Sequence, residues 1–184
     1  MGRRKRFDPQ DAKEAMKQIF WQQGYEGTSL QDLERVTALP KQSLYREFGD
    51  KRGMYLAALS AYEAEEVRAA SRILRAHSDP KQAFAALFDA VLRPVEEQDD
   101  RRGCFLCNAA SDRTTIEPAI DTWVNAAMVR MLATFTAALG DTDKGDQKAR
   151  ALLAGYVGIR VLARSGLPTP DLRMAANRLI ESTR

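Results

Sequence analysis

Histidine and cysteine are nearly missing from this 184-residue chain, which has one histidine, His77, and two cysteines, Cys104 and Cys107. A structural zinc site draws four ligands from such residues, so no metal centre is expected. The two cysteines stand in a C-x-x-C spacing, but a thioredoxin-like oxidoreductase would need a βαβ context, and no alternating β-branched run supplies a strand. A Gly-rich phosphate loop is absent, as is a histidine beside the cysteines to serve as a base, so neither a cofactor nor a catalytic residue is expected. Long apolar runs are lacking too. Charges such as Asp89 and Arg130 interrupt the apolar windows before they reach the roughly 20 residues of a membrane-spanning helix. The opening MGRRKRFDPQ is basic and leads into an amphipathic segment rather than an apolar one, which argues against a secretory signal and for a cytoplasmic protein. Internal repeats and low-complexity segments are also missing.

What is present is helical periodicity and an uneven charge. Residues 1–52 hold 11 Lys and Arg against 8 Asp and Glu, while the remainder has 17 of each, so the whole net charge of +3 lies in the first quarter. A localised basic balance suits a polyanionic partner. Apolar residues recur at three and four almost throughout, predicting an all-α fold of about nine helices. Asp8 and Pro9 open the first, whose stripe is Ala12, Ala15, Met16, Ile19 and Phe20. Thr28 with Gln31 fits a capping box for a short second helix with Leu30, Leu33 and Val36 inward. A third carries Leu44, Tyr45 and Phe48 and stops at Gly49. Asp50 caps a long fourth helix to about residue 78. Others follow at 80 to about 93, about 102–111, about 116–139 and about 146–165, and the last is capped by Thr169.

Two short helices joined by a tight turn, the second polar at its start, form a helix-turn-helix arrangement, whose second helix reads the DNA major groove. Lys41, Gln42 and Ser43 can reach base edges or phosphates, while Leu44 and Phe48 face inward. The segment IFWQQGYEGTSLQDLERVTALPKQSLYREFGDKRGMYLAAL resembles the DNA-binding region of TetR/AcrR-family transcriptional repressors. Phe20, Gly24, Tyr25, Thr28, Ser29, Leu33, Lys41, Ser43, Leu44, Tyr45, Phe48 and Lys51 carry the likeness. The resemblance implies that Thr28 with Ser29 beside it, Tyr45 and Lys51 touch phosphates, and that Lys41, Gln42, Ser43 and Arg46 face the groove. Ala38 and Gln42 stand where the family often has Gly. The basic arm at residues 2–6 is either a solvated terminus or a strand that follows the DNA.

The division implied is a DNA-binding domain at 1–51 and an effector-binding and dimerisation domain at 52–184. Phe84, Phe88, Phe105, Trp123 and Met128 fall where an effector cavity of the family would open, though such spacing also suits plain core. Cys104 and Cys107 are either small buried residues or sensor thiols, with Arg101, Arg102 and a helix start favouring the Cys104 thiolate. The segment ALLAGYVGIRVLARSG is apolar nearly all round and needs cover on every side. The resemblance supplies it as a homodimer through helices at about 146–165 and 170–183. The function expected is a dimeric repressor on a palindromic double-stranded DNA operator, released by a small molecule or stress. The rival readings are a thiol-based redox protein and an architectural DNA binder without a switch.

Overall fold

The computed structural model describes residues 8–111, 118–140 and 142–183, and every regular element among them is an α-helix. The basic arm at 2–6 and the expected start of the seventh helix near 116 lie outside the described residues. Helix α1 (Pro9–Gly27) begins at Asp8, whose carboxylate accepts the Gln10 N–H at 2.8 Å. It buries Ala12, Met16, Ile19 and Phe20 and kinks at Gly24, where φ 75° and ψ 179° suit only glycine. The kink turns Tyr25 into the core.

Helix α2 (Leu30–Thr37) is capped by Ser29 and Asp32, not by Thr28 and Gln31. The Ser29 hydroxyl accepts the Asp32 N–H and the Asp32 carboxylate accepts the Ser29 N–H, both at 3.1 Å. The pattern S-x-x-D fits one residue later than expected because the kink at Gly24 carries Thr28 inward. Hydrogen bonds from the Ser29 hydroxyl, Arg35 and the Ser29 N–H draw the Asp32 carboxyl down to about 2. Helix α3 (Lys41–Phe48) follows a turn in which Ala38 sits at φ 54°, ψ 28°. Leu33 and Leu44 are fully buried, with α2 packed on α1 and α3 packed on α2 and α4.

Helix α4 (Lys51–Arg75) is capped by Asp50, whose carboxylate accepts the Gly53 N–H at 2.8 Å. Gly53 lets α4 start directly beneath α3, since a Cβ there would stand 1.9 Å from the Phe48 carbonyl oxygen. Along its 25 residues α4 packs against α1, α3, α5 (Pro80–Gln98), α6 (Phe105–Ser111) and α7 (Pro118–Leu139). Helices α8 (Asp143–Arg164) and α9 (Thr169–Glu181) complete the bundle, with α8 against α7 and α9 against α8 and α5.

Several boundaries differ from the periodicity. Helix α5 runs through Pro94 to Gln98 rather than ending near 93, because a proline can be carried mid-helix at the loss of one backbone bond. Helix α8 starts at Asp143, three residues early, because Thr142 accepts the Gly145 N–H at 3.0 Å. Helix α6 starts at Phe105 because Asp100 and Arg102 hold the preceding chain in a non-helical loop.

The apolar core is continuous from α1 to α9. Edge-to-face rings stitch the first helix to the rest: Phe20 to Tyr55 at 5.0 Å, Tyr55 to Phe105 at 5.5 Å, Tyr62 to Phe105 at 5.8 Å and Trp21 to Tyr62 at 5.0 Å. Beside them the nearly buried Lys17 ammonium lies 2.6 Å from both Glu14 and Glu65. Burial alone would lower its pKa, and the two carboxylates reverse this and raise it.

The left-handed conformation of Ala38 gives a clean test of the turn. A non-glycine residue there costs roughly 1–2 kcal/mol, partly offset by the greater freedom of glycine in the unfolded chain. Ala38→Gly should therefore stabilise the protein by about 0.5–1 kcal/mol, read as a rise in melting temperature; a fall would show that the turn is unstrained.

Candidate nucleic-acid interface

Helix α3 separates packing from display. Leu44 is buried and Phe48 packs half-buried on the core, while Lys41, Gln42, Arg46 and Tyr45 are exposed and Ser43 is half-exposed. The Lys41 ammonium lies 5.2 Å from the centre of the Tyr45 ring, so the two side chains share one surface. At the start of α4 the Lys51 ammonium lies 4.6 Å from the Tyr25 ring, which fixes its position beside the N-terminus of that helix. Lys41, Gln42, Ser43 and Arg46 thus occupy the first two turns of one short helix, with Tyr45 and Lys51 at its flank. A polar helix face of this size with cations at its edges can enter a major groove and hold phosphates.

Two of the expected contacts are arranged differently. Thr28 is fully buried and its hydroxyl donates to the Gly24 carbonyl at 2.8 Å, so it cannot reach a phosphate from this position. Its work is internal, closing the kinked end of α1. Ser29 is exposed, but its hydroxyl donates to Asp32 at 2.6 Å, leaving the first two backbone N–H groups of α2 as the outward donors. Sequence reasoning also missed Glu34, whose carboxylate accepts the Lys41 N–H at 2.6 Å. Pro40 has no side chain to cap α3, and Glu34 does so from the preceding helix. A capping search over the usual three-residue spacing passes over a partner seven residues away.

In the larger part of the chain the five candidate pocket residues lie in or against the apolar core. Phe84, Phe88 and Phe105 are fully buried, Phe84 on Phe135 at 5.2 Å and Phe88 on Tyr156 at 6.2 Å. Trp123 and Met128 pack at the margin of the core. A polar feature of this interior is a largely buried ion pair between α4 and α8. Arg160 and Glu66 side chains are 13% and 18% exposed and bonded to one another. Tyr156 donates its hydroxyl to the same carboxylate, and Arg160 donates to the Tyr62 oxygen at 3.1 Å.

Cys104 and Cys107 are buried and unbridged beside this pair. Arg101 and Arg102, expected to supply positive potential, are turned elsewhere: Arg101 to Asp99 and the Leu167 carbonyl, Arg102 to Asp100 and onto the Trp21 ring. Arg160 takes their place. Burial opposes ionisation of Cys104, but the hydrogen-bonded Cys107 thiol, the Arg160 guanidinium and the Tyr62 hydroxyl outweigh it and draw the Cys104 pKa down to about 6. Cys107, tied to that sulfur, is pushed up.

A family model for bacterial regulatory proteins, tetR family, matches residues 14–58. The uncharacterized HTH-type transcriptional regulator YezE of Bacillus subtilis (strain 168) is 31% identical over 120 residues, covering 65% of this chain and 62% of that one. The HTH-type transcriptional repressor ComR of Escherichia coli (strain K12) is 33% identical over 118 residues, 64% of this chain and 55% of that one. The chain thus spans less than two thirds of the length of either curated relative. Among solved structures, a cysteine mutant of the TetR family transcriptional regulator CifR complexed with 26-bp operator DNA superposes with a TM-score of 0.84 over 98% of this chain and 99% of that one, at 24% identity. That likeness is one of fold.

The thiol pair carries its own pH signature. With a folded pKa below the ordinary thiol value of 9.0, the ionised Cys104 stabilises the fold fully above about 9 and loses that contribution as pH falls through about 6. Thiolate absorbance at 240 nm should show one step near pH 6 in the folded protein, absent in Cys104→Ser; a single step near 9 would place both thiols in an ordinary environment.

Proposed function

We propose that this chain is a dimeric transcriptional repressor of the tetR family, acting on a palindromic DNA operator, a reading supported by the family model over residues 14–58 and by the similarity to YezE and ComR. The observation that carries the reading is α3, which hides Leu44 and displays Lys41, Gln42, Ser43 and Arg46 on its opposite face. In this reading residues 1–51 form the DNA-binding domain. Tyr45, Lys51 and the start of α2 hold phosphates and set the register, and Gln42 reads a base edge, for which its amide suits adenine. The remaining residues, 52–184, bind an effector and pair the subunits. A small molecule or a thiol-reactive stress at Cys104 favours a separation of the two α3 helices that no longer fits successive turns of DNA. No catalytic step is part of this mechanism.

Pairing through α8 and α9 is supported by what those helices leave uncovered. Leu152, Tyr156, Ile159 and Ala163 face the core, whereas Ala151, Ala154, Val161 and Leu162 of α8 and Met174 of α9 are exposed. Small and apolar residues on a display face suit close contact with a second copy of the same helices.

Three experiments test these assignments. Selection from random DNA should return a palindrome, and Lys51→Ala should weaken all sequences alike and reduce the slope of log K against log salt by about 0.9 per subunit; an unchanged slope removes Lys51 from the contacts. A Cβ at Gly158 would meet nothing within 4 Å, so Gly158→Arg should leave each subunit folded yet give monomers by sedimentation with operator binding lost. A dimer of normal affinity in that variant would move the interface elsewhere.

A further inference from the structure

Helix α3 begins without a cap of its own. Pro40 precedes it and makes no side-chain cap, and the Lys41 N–H is bonded at 2.6 Å by the Glu34 carboxylate, which reaches over from α2. The N–H groups of a first turn point out of the helix end, so this carboxylate stands at the head of the segment that displays Lys41, Gln42 and Ser43. Only one of its oxygens is committed there. A carboxylate has about four lone-pair sites, and Glu34 has no other hydrogen bond or ion pair among the described residues. The cations nearest to it along the chain are directed elsewhere: Arg35 bonds Asp32 at 2.6 Å, and the Lys41 ammonium lies 5.2 Å from the centre of the Tyr45 ring.

A cap alone does not call for this arrangement. Serine or threonine in place of Pro40 would cap the helix without charge, whereas a carboxylate that no cation neutralises is repelled by every phosphate that α3 approaches. What the carboxylate adds is an acceptor that donates nothing. In the major groove guanine shows two acceptors, and thymine an acceptor and a methyl group. Adenine sets an amino donor beside the N7 acceptor, while cytosine shows its amino donor alone. The cytosine edge is thus the one that meets a carboxylate without conflict.

We propose that Glu34 is a specificity-determining residue, whose carboxylate caps α3 with one oxygen and accepts a hydrogen bond from the amino group of a cytosine with the other. This rests on the repressor reading above, in which α3 enters the major groove by its first turns. The charge then works by exclusion as well as attraction. Guanine or thymine at that position brings an acceptor against a carboxylate, and DNA lacking the cytosine offers nothing to offset repulsion by its phosphates.

The test starts from a consensus operator selected from random DNA with the full chain. Each cytosine is replaced in turn, in both half-sites, by pyrimidin-2-one, which lacks only the amino group, and the duplexes are titrated with the wild type, Glu34→Ala and Glu34→Gln. At one position of each half-site the wild type should lose about tenfold in affinity, the scale of one base contact, and the variants less than about twofold. Weaker pairing of the altered base acts on all three proteins alike and cancels in this comparison. Glu34→Ala decides if its melting curve shows a folded protein. Otherwise Glu34→Gln decides, since its amide oxygen can still take the Lys41 N–H while its amino group replaces the second acceptor. A residue that only caps would weaken every duplex by the same factor. Equal losses in wild type and the deciding variant at every cytosine, or no loss with the wild type at any of them, therefore overturn the proposal and leave the repressor reading standing. Selection that returns no consensus overturns the repressor reading, and the role of Glu34 with it.

Discussion

Arg160 and Glu66 can remain in the interior only as a pair. Removing one partner from such a pair costs about 3–5 kcal/mol, because the other charge is left buried and unanswered. Everything near the pair is arranged to satisfy it: Tyr156 donates to the carboxylate, and the Tyr62 oxygen receives the guanidinium. Burial keeps both phenols protonated, with their pKa values well above the ordinary range. The pair fixes the register of α4 against α8. It also fixes Tyr62, whose ring in turn positions Trp21 and Phe105. The attitude of α1, and of α2 packed on it, follows from that chain of contacts.

The display surface of α3 depends on a different economy. Three caps are contributed by neighbours or near neighbours: Ser29 with Asp32 for α2, Glu34 for α3, and Asp50 for α4. Each helix is only as long as its polar ends can be satisfied, which lets eight residues hold a helix without support from length. The acidic groups thereby sit behind or beside the cations rather than among them. A small net charge of +3 then suffices, because what a polyanion meets is the local arrangement and not the total.

Much of this was legible in the sequence. The stripe Ala12, Met16, Ile19 and Phe20, the buried Leu33 and Leu44, and the outward Lys41, Gln42 and Arg46 follow from a period of 3.6 residues, which separates the faces of a helix. The misreadings have two causes, a partner distant in sequence or a local backbone change that periodicity does not register. Arg101 and Arg102 are Cys104's neighbours along the chain, but Arg160, across the fold, is the cation that acts on it. Glu34 caps a helix that starts seven residues later. Thr28 looked like the cap of α2 until the kink at Gly24 turned it inward. Pro94 suggested an end to α5, yet packing of Leu92 and Val95 on the core carries the helix past it. The aromatic residues of the larger part were equally suited by spacing to a core or a cavity wall, and only their neighbours in space decide between the two.

The length of α4 gives the arrangement a mechanical property. Lys51 and Glu66 lie fifteen residues apart on one helix, about 22 Å at 1.5 Å per residue. With Glu66 as fulcrum, a tilt of about 5° carries the Lys51 end through about 2 Å over that arm. Because Gly53 seats α3 directly on the first turn of α4, α4 and α3 move together. A repacking too small to alter the core contours can thus become a displacement comparable to a hydrogen bond's length where the chain would meet DNA.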